Sequence, residues 1–414
     1  MNWKELRQLK PQVIKAECDA LPEEVNYDGS RLDVLNRHIQ GLIEEKIIWS
    51  GSYCLWRNGK VFADAAIGDL ACIWQGRTKF MPDTFFEIQS VGKILTAIAI
   101  LKLAEDGILY IDQPVREWIN EFNQKDFCNI TVKHLLTHTS GICGLPEALP
   151  EDKRSWYENI DDNRVKDTWI SSVISAGLHG KPGEKWIYSI VGYAILGEII
   201  SRAAGISAED FIRENILLPC EMTETHWRKE GTEEWVKRYN IANETDLRMA
   251  KEWETKGLPA MACRTYHWWD EIPDTAGGQM STGREMIKLG EMLLRDGYYR
   301  GKRIIGKKAL SLLWTNLVGD SVRDLCWNHN KPVLYGAGVP IYTHKTDLEQ
   351  ILSDNVIFHE GSGTCVFLVD KEEDFAAVFQ TSFRKEFDWC HKAVKGTASV
   401  IWSGIRRTAA LTGV

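Results

Sequence analysis

Apolar and polar positions follow a clear pattern in the first part of the chain. Apolar residues three and four positions apart predict a helix over Arg31–Glu45. Two runs with strand character follow, Ile47–Leu55 and Val61–Ile67, and the Asn58-Gly59 dipeptide between them is a strong hairpin signal. Residues 1–29 show no periodicity and are expected to form an irregular leader. The pattern therefore predicts a helix followed by an antiparallel hairpin.

Two segments in the middle of the chain are apolar almost all round, which is typical of helices buried at the centre of a protein. The first is Val91–Asp106, which Gly107 ends, and the second is Val191–Ala204, which Gly205 ends. Lys93 lies near the start of the first helix. A charge inside so apolar a segment requires a reason, because burying an unpaired charge is costly.

Shorter signals extend the helical middle region. Thr131–Thr137 predicts the start of a short helix. Thr282 and Glu285 form a capping box ahead of a helix that ends at Gly297. Residues 206–300 are therefore predicted to be mostly helical.

The end of the chain returns to strands. Three short runs rich in β-formers are Val356–His359, Cys365–Val369 and Phe375–Thr381, and a final helix is predicted over Asp388–Arg406. Strands at both ends of a helical middle predict an α+β fold, in which one antiparallel sheet is assembled from N- and C-terminal strands and flanked by helices.

The domain organisation follows from that pattern. Residues 30–90 and 300–414 are predicted to form a sheet region, and residues 91–299 a mostly helical region. The active site is expected at the junction of the two regions.

Charge and composition narrow the function. The formal net charge of -8 argues against a nucleic-acid surface and against binding to anionic lipid membranes. The ten cysteines include no C-x-x-C pair, so zinc-ribbon and thioredoxin-like sites have no support. The charged N-terminal segment lacks the apolar core of a signal peptide, and the apolar stretches are too short or too interrupted to span a bilayer. We therefore expect a cytoplasmic protein with no membrane segment.

The strongest chemical motif is the S-x-x-K tetrad Ser90-Val91-Gly92-Lys93. A serine hydroxyl needs a base to take its proton, and a lysine one helical turn later lies on the same face. Burial lowers the pKa of a lysine, so this amine can accept a proton. Chance alone supplies about one or two such tetrads in a chain this long. Ser382-Phe383-Arg384-Lys385 is a second match, and its charged context predicts a solvated surface.

Other catalytic motifs are missing from the sequence. There is no G-x-S-x-G elbow, no Walker A loop and no dinucleotide fingerprint. His134 and His138 stand four positions apart, but the glutamate of H-E-x-x-H is absent, so structural histidines and no metal site are expected. The segment Trp268-Trp269-Asp270 is a candidate part of the pocket, with a structural role for the tryptophans as the expected alternative.

Five segments resemble the class C β-lactamase and penicillin-binding-protein-like serine hydrolases, with their esterase, D-aminopeptidase and transacylase relatives. They are IQSVGKILTAIAIL, ITVKHLLTHTSGI, PGEKWIYSIVGYAILG, DTAGGQMST and VIFHEGSGTCVFLVD. The resemblance runs from about residue 30 to about residue 400, with the motifs in the family's order. It implies a β-lactamase/transpeptidase-like fold and a serine hydrolase that needs no cofactor.

The resemblance also implies roles for individual residues. Ser90 matches the family's nucleophile, Lys93 its helix lysine, and Tyr188 the tyrosine of its Y-x-N motif. It further implies that the backbone N–H groups of Ser90 and Ser362 form the oxyanion hole. Without the resemblance, Tyr188 reads as a buried core tyrosine in front of an apolar helix.

Two departures from the family pattern bear on the substrate. Ile190 replaces the asparagine of Y-x-N, and His359, which is mostly neutral near pH 7, replaces the lysine of K-T-G. With Glu360 and Gly361, these residues are expected to bind the substrate, although a purely structural hydrogen bond is an equal alternative for His359. The departures argue against efficient β-lactam hydrolysis and favour a small ester or amide. Glu360 is expected to place a negative charge beside the site and to disfavour anionic substrates.

Three functions stay open on sequence grounds. The first is a hydrolase that cleaves a small-molecule ester or amide through a Ser90 acyl-enzyme. The second is an acyltransferase in which an alcohol or amine replaces water. The third is a catalytically silent protein that binds a ligand. The sequence does not indicate the oligomeric state.

Overall fold

Strands from both ends of the chain meet in one sheet. The computed structural model describes residues 11–45, 47–48, 50–68, 80–142, 165–227, 272–324, 331–344, 349–361, 363, 365–381 and 389–406. The strands in chain order are β1 (Val13–Lys15), β2 (Ser50–Arg57), β3 (Lys60–Gly68), β4 (Phe86–Glu87), β5 (His226–Trp227), β6 (Gln279–Ser281), β7 (Tyr298–Tyr299), β8 (Lys302–Arg303), β9 (Ile357–Gly361), β10 (Cys365–Asp370) and β11 (Phe375–Thr381).

Helices fill the middle of the chain and flank the sheet. The α-helices are α1 (Ser30–Glu44), α2 (Lys93–Glu105), α3 (Val132–Leu136), α4 (Val165–Ala176), α5 (Ile190–Ala204), α6 (Ala208–Ile212), α7 (Gly283–Leu294), α8 (Lys307–Leu310) and α9 (Thr397–Trp402). Short 3-10 turns cover Pro22–Val25, Gln89–Gly92, Val115–Glu117, Asn120–Phe122 and Ser311–Leu313, and π-helical turns cover Arg213–Leu217 and Trp389–Gly396.

The main sheet is antiparallel throughout, with the strand order β1-β3-β2-β11-β10-β9. The predicted hairpin is confirmed, because Asn58 and Gly59 turn the chain between β2 and β3 with φ values of 51° and 88°. One expectation is corrected: Val13–Lys15, inside the stretch expected to be irregular, pairs with β3 as an edge strand. The confirmed fold is the α+β arrangement that the sequence predicts.

The two faces of the main sheet pack against different helices. The near face carries Ile357, Phe367 and Val378, which join the apolar cluster around α2 and α5. The far face carries Val366 and Phe379, whose cluster includes residues of α1 and α9. Because successive side chains of a strand point to opposite faces, one sheet separates two cores.

Element boundaries differ from the sequence prediction where local contacts compete. Ile47 is buried outside the strand, since its N–H donates to the Leu42 carbonyl at the end of α1 at 2.9 Å. The region 206–300 contains β5, β6 and β7 as well as helices, and residues 228–271 lie outside the described residues. The final helix is split into the π-helical turn and α9, and it ends at Trp402.

The central helix is buried as its composition predicts. Along α2, ten residues from Lys93 to Leu103 are buried. Thr282 caps α7 by accepting the Glu285 N–H at 3.3 Å, which confirms that start signal. Among the described residues, no single helix has the length and apolar character to cross a membrane; only the bent pair of α5 with the helical stretch Ala208–Leu217 passes that test when the two are taken together.

Candidate active site

The turn that carries Ser90 is held in a strained conformation. Strand β4 leads into the 3-10 turn, which runs directly into α2. Gln89 has a φ of 52°, in the left-handed region that costs a non-glycine residue energy. The Ile88 N–H donates to the Gln279 carbonyl of β6 at 2.9 Å and anchors the turn. Ser90 is thereby placed at the N-terminal end of the helix, where the dipole favours negative charge.

The amine of Lys93 lies against the hydroxyl of Ser90. The Nζ–Oγ distance is 3.0 Å, and the lysine is fully buried. Burial lowers the Lys93 pKa to about 7, with the Asp274 carboxylate opposing the shift. A large share of this amine is therefore neutral near pH 7, when its lone pair can accept the Ser90 proton.

A short loop ahead of β6 supports the amine. The Ala276 carbonyl accepts a hydrogen bond from Lys93 at 2.6 Å. Thr275 is fixed from two sides, because its carbonyl accepts the Thr96 hydroxyl at 2.6 Å and its own hydroxyl donates to the Tyr193 carbonyl at 2.7 Å. This segment, DTAGGQMST, is one of those that carry the family resemblance, but sequence reasoning assigned none of its residues a role in the site. The signal that points to it is that a buried amine requires an acceptor.

Tyr188 lies just before α5, half-buried, with its ring beside the amine. The Lys93 Nζ is 5.0 Å from the centroid of the Tyr188 ring and 5.4 Å from that of Tyr193. Ser189 caps α5 by accepting the Gly192 N–H at 2.9 Å, which fixes the backbone directly after Tyr188. The structure therefore brings together the three residues that the sequence selected as nucleophile, base and tyrosine.

His359 and Gly361 reach the same place from β9. His359 is buried on the near face, and its Nδ1 is 3.0 Å from the Glu360 carbonyl. Burial and the Lys93 charge lower the His359 pKa to about 3, so the ring is neutral at pH 7. A Cβ on Gly361 would lie 2.2 Å from the Ile88 carbonyl oxygen, which shows how closely β9 approaches the turn before Ser90.

Glu360 is not brought to the site. The side chain of the preceding residue, His359, lies on the near face, which is the side of the sheet that carries the nucleophile. Because side chains alternate along a strand, the Glu360 side chain lies on the far face. The expectation that its charge lies beside Ser90 is corrected on that ground.

Other candidate residues lie at the margin of the site or outside the description. Ile190 is the first residue of α5, partly buried and packed against the near-face cluster. Ser362, the segment Trp268-Trp269-Asp270 and the second tetrad at 382–385 lie outside the described residues.

The two histidines of HLLTH have different surroundings. His134 Nδ1 accepts the Thr131 N–H at 3.1 Å in the cap of α3. His138 lies instead at the centre of an aromatic cluster formed by Trp186, Tyr188, Tyr193 and Tyr335. Sequence reasoning treated both as structural and missed this contact between His138 and the candidate tyrosine. In the described part of the chain, no group of three or more His, Cys, Asp or Glu residues is arranged to hold a metal ion.

Comparisons with known proteins identify the family and the fold of this chain. Residues 35–394 match the family model described as Beta-lactamase. Penicillin-binding protein 4* of Bacillus subtilis (strain 168) is 32% identical over 199 residues, which are 46% of this chain and 41% of that protein. The matches to curated relatives thus span about two fifths of the length of those relatives, 41% and 39% for two of them.

Solved structures show the same fold at low sequence identity. The hydrolase EstCE1 is 16% identical with a TM-score of 0.72, covering 90% of this chain and 98% of that chain. A class C β-lactamase is 17% identical with a TM-score of 0.69, covering 92% and 98%. The fold is β-lactamase/transpeptidase-like, and because the family model spans most of the sequence, this chain belongs to the Beta-lactamase family.

Proposed function

We propose that this protein is a serine hydrolase that cleaves an ester or amide of a small molecule through a Ser90 acyl-enzyme. The observation that carries the proposal is the 3.0 Å contact between the Lys93 amine and the Ser90 hydroxyl. Burial lowers the pKa of that amine to about 7, which suits a general base at neutral pH. One N–H of the neutral amine is used by the Ala276 carbonyl at 2.6 Å, which leaves its lone pair for Ser90.

The proposed reaction has two halves. Ser90 Oγ attacks the substrate carbonyl as its proton passes to Lys93, and the Lys93–Tyr188 pair delivers a proton to the leaving alcohol or amine. Water then attacks the acyl group on Ser90, the same pair takes a proton from that water, and Ser90 leaves with a proton. The 5.0 Å separation between the amine and the centroid of the Tyr188 ring supports this shared role.

Stabilisation of the tetrahedral oxyanion is proposed to come from the backbone N–H groups of Ser90 and Ser362. The position of Ser90 at the start of α2 supports the first donor. Removing one such donor typically costs about 3–4 kcal/mol of transition-state stabilisation. The close approach of Gly361 to the turn supports the second, since it brings the backbone at the end of β9 beside the nucleophile.

The proposed substrate is a small ester or amide rather than a β-lactam. Where β-lactamases carry a lysine that holds the drug's carboxylate, this chain has His359, which burial keeps neutral with a pKa of about 3. Ile190 provides no amide for the substrate's acyl amide. Acyl transfer is the alternative outcome of the same acyl-enzyme, and the structural relative EstCE1 is described as a hydrolase with promiscuous acyltransferase activity.

The deciding experiment is labelling with a fluorophosphonate probe together with hydrolysis of p-nitrophenyl acetate or butyrate. Wild type should be labelled and active, and Ser90→Ala should lose both. Ser175→Ala is the matched control, because Ser175 is a helical serine whose hydroxyl bonds only to the Ser171 carbonyl in the described structure, at 2.9 Å. Wild type that neither labels nor turns over would contradict the proposal in favour of a silent ligand-binding protein.

Two further arms separate the related activities. Adding an acceptor alcohol diverts product from acid to ester if the protein is an acyltransferase, and leaves the product unchanged if water is the only acceptor. A chromogenic cephalosporin should be hydrolysed far more slowly than the ester. Faster cephalosporin hydrolysis would overturn the proposed substrate class.

A further inference from the structure

His138 holds the backbone on both sides of Tyr188. Its carbonyl accepts the Ile187 N–H at 2.8 Å, and its ring Nδ1 accepts the Ser189 N–H at 3.0 Å. The ring also lies against the tyrosine itself, with centroids 4.4 Å apart and planes tilted by 35°. Backbone carbonyl, ring nitrogen and ring face of one residue therefore act together on Tyr188.

The hydrogen bond from Ser189 fixes the state of the histidine. Because Nδ1 accepts from a backbone N–H, the ring must be neutral with its proton on Nε2. Burial, with the charge of Lys93 nearby, lowers the His138 pKa well below its usual range, which keeps Nδ1 free to accept. The titratable groups that face this ring in the described structure are Lys93, His359 and the tyrosines at 188, 193 and 335.

The backbone of His138 is itself strained. Its φ of 56° lies in the left-handed region, which few non-glycine residues adopt. Strain of this kind persists only where surrounding contacts over-determine the conformation, and it clusters at functional sites. Here it turns both the carbonyl and the ring towards the segment before α5.

We propose that His138 is a positioning residue for Tyr188, and that its Nδ1 sets where the phenol meets the amine of Lys93 and the leaving group. This inference rests on the proposed function, since it assigns Tyr188 to protonation of the leaving group. It goes beyond the family resemblance, which gave His138 no part in the reaction. The role is exerted through Tyr188 and requires no contact between His138 and the substrate.

Two substitutions separate positioning from packing. His138→Phe keeps a ring in the aromatic cluster but removes the acceptor of the Ser189 N–H. His138→Asn keeps an acceptor atom the same number of bonds from the backbone and tolerates positive φ, but removes the ring. Packing alone predicts that Phe is the better replacement in every assay. Positioning through Nδ1 predicts that Asn retains more activity while Phe retains more stability.

The leaving group supplies a second readout. An alkyl alcohol needs a proton as it departs, whereas p-nitrophenolate does not, so misplacing Tyr188 should slow alkyl esters selectively. We expect His138→Phe to lower kcat/KM, which reports the acylation step, by at least about tenfold more for an ethyl ester than for the p-nitrophenyl ester of the same acid, since general acid catalysis contributes about 10²–10⁴-fold. KM should change little for either ester.

His134→Phe is the matched control. His134 also accepts a backbone N–H through Nδ1, from Thr131 at 3.1 Å, but that N–H belongs to the cap of α3. It should lose some stability and leave the ratio between the two esters unchanged.

The outcomes distinguish this inference from the function beneath it. One outcome is that Ser90→Ala abolishes labelling, His138→Phe is at least as active as His138→Asn, and the ratio between the two esters is unchanged. In that case the positioning role is wrong and the proposed hydrolase function stands. If wild type fails to label, the proposed function falls first. If His138→Asn has the higher kcat/KM and His138→Phe the higher stability, the positioning role is supported.

Discussion

Buried polar groups are arranged differently on the two faces of the main sheet, the far face and the near face that carries the nucleophile. On the far face, the hydroxyls of Tyr27 and Tyr53 donate to the Ile401 carbonyl and to Asn36 Oδ1, each at 2.9 Å. On the nucleophile side, the buried Nε2 atoms of His138 and His359 and the hydroxyl of Tyr335 have no hydrogen-bond partner among the described residues. The far side also has two such atoms, His38 Nε2 and Thr397 Oγ1, so the difference is that the unpartnered atoms of the nucleophile side cluster around the buried amine of Lys93 and the ring of His138.

The difference shows which side is organised for stability and which for chemistry. A buried polar group without a partner costs about 1–3 kcal/mol, so natural cores retain few of them. On the nucleophile side such groups coincide with two strained residues, Gln89 and His138, and with a buried amine of lowered pKa. Perturbed pKa values and strain that occur together are typical of catalytic sites.

Replacing the buried amine should have the largest effect on this contrast. Lys93→Met keeps the length and apolar packing of the side chain but removes the base, so kcat/KM for an ester should fall about 10²–10⁴-fold. Fluorophosphonate labelling should slow by a similar factor. The matched control is Lys102→Met, near the other end of the same helix. The amine of Lys102 donates to the Ile304 carbonyl at 3.3 Å. Equal losses in both variants would contradict the role of Lys93.

The next effect tests how closely β9 must approach the nucleophile. In Gly361→Ala the new Cβ would lie 2.2 Å from the Ile88 carbonyl oxygen, so either the strand or the turn must move. Overpacking of this kind costs about 1–3 kcal/mol, and misplacing the turn by a fraction of an ångström should lower kcat/KM by at least about tenfold. Steady-state kinetics and a denaturant titration measure both effects. Gly59→Ala is the control, because a Cβ there meets nothing within 4 Å although its φ is 88°.

The Lys93 pKa predicts the acid limb of the pH profile. Since only the neutral amine accepts the Ser90 proton, kcat/KM should rise about tenfold per unit as pH increases towards 7 and level off above it. A profile that is flat from pH 5 to pH 8 would contradict the assignment of Lys93 as base.

Stability should follow the same group with a defined sign. The folded-state pKa of about 7 lies below the ordinary lysine value of 10.5, so between these values the unfolded chain binds more protons than the folded one. The free energy of unfolding therefore rises with pH in this window, by about 2 kcal/mol from pH 7 to pH 9, relative to Lys93→Met. Matched urea titrations at the two pH values measure the difference, and a gain shared by the variant would exclude Lys93 as its source.

The sequence predicted the parts of the site that depend on short-range pattern. The tetrad at Ser90, the all-round apolar helix behind it and the terminal strands each follow from local spacing, and the structure contains them. Local spacing could not predict contacts between segments that are far apart in the sequence. The Ala276 carbonyl meets Lys93 across 183 positions of sequence, and the Ser189 N–H meets the His138 ring across 51.

One error has a simple geometric cause. Glu360 was expected beside Ser90 because its neighbours in H-E-G were, but in a strand adjacent side chains point to opposite faces. The π-helical break ahead of α9 and the edge strand β1 had no periodic signal strong enough to predict them.

The smallest predicted effect tests the contrast between the two sides directly, with the same chemical change on each. Tyr53→Phe leaves the buried Asn36 Oδ1 without its donor and should lower the free energy of unfolding by about 1–2 kcal/mol. Tyr335→Phe removes a buried hydroxyl that has no partner among the described residues, so it should leave stability unchanged or raise it by about 1 kcal/mol. Denaturant titrations of the two variants against wild type at one pH measure the pair. The reverse order would mean that the hydroxyl of Tyr335 has a hydrogen-bond partner in solution. Tyr335 would then not belong to the unpartnered polar groups beside the nucleophile.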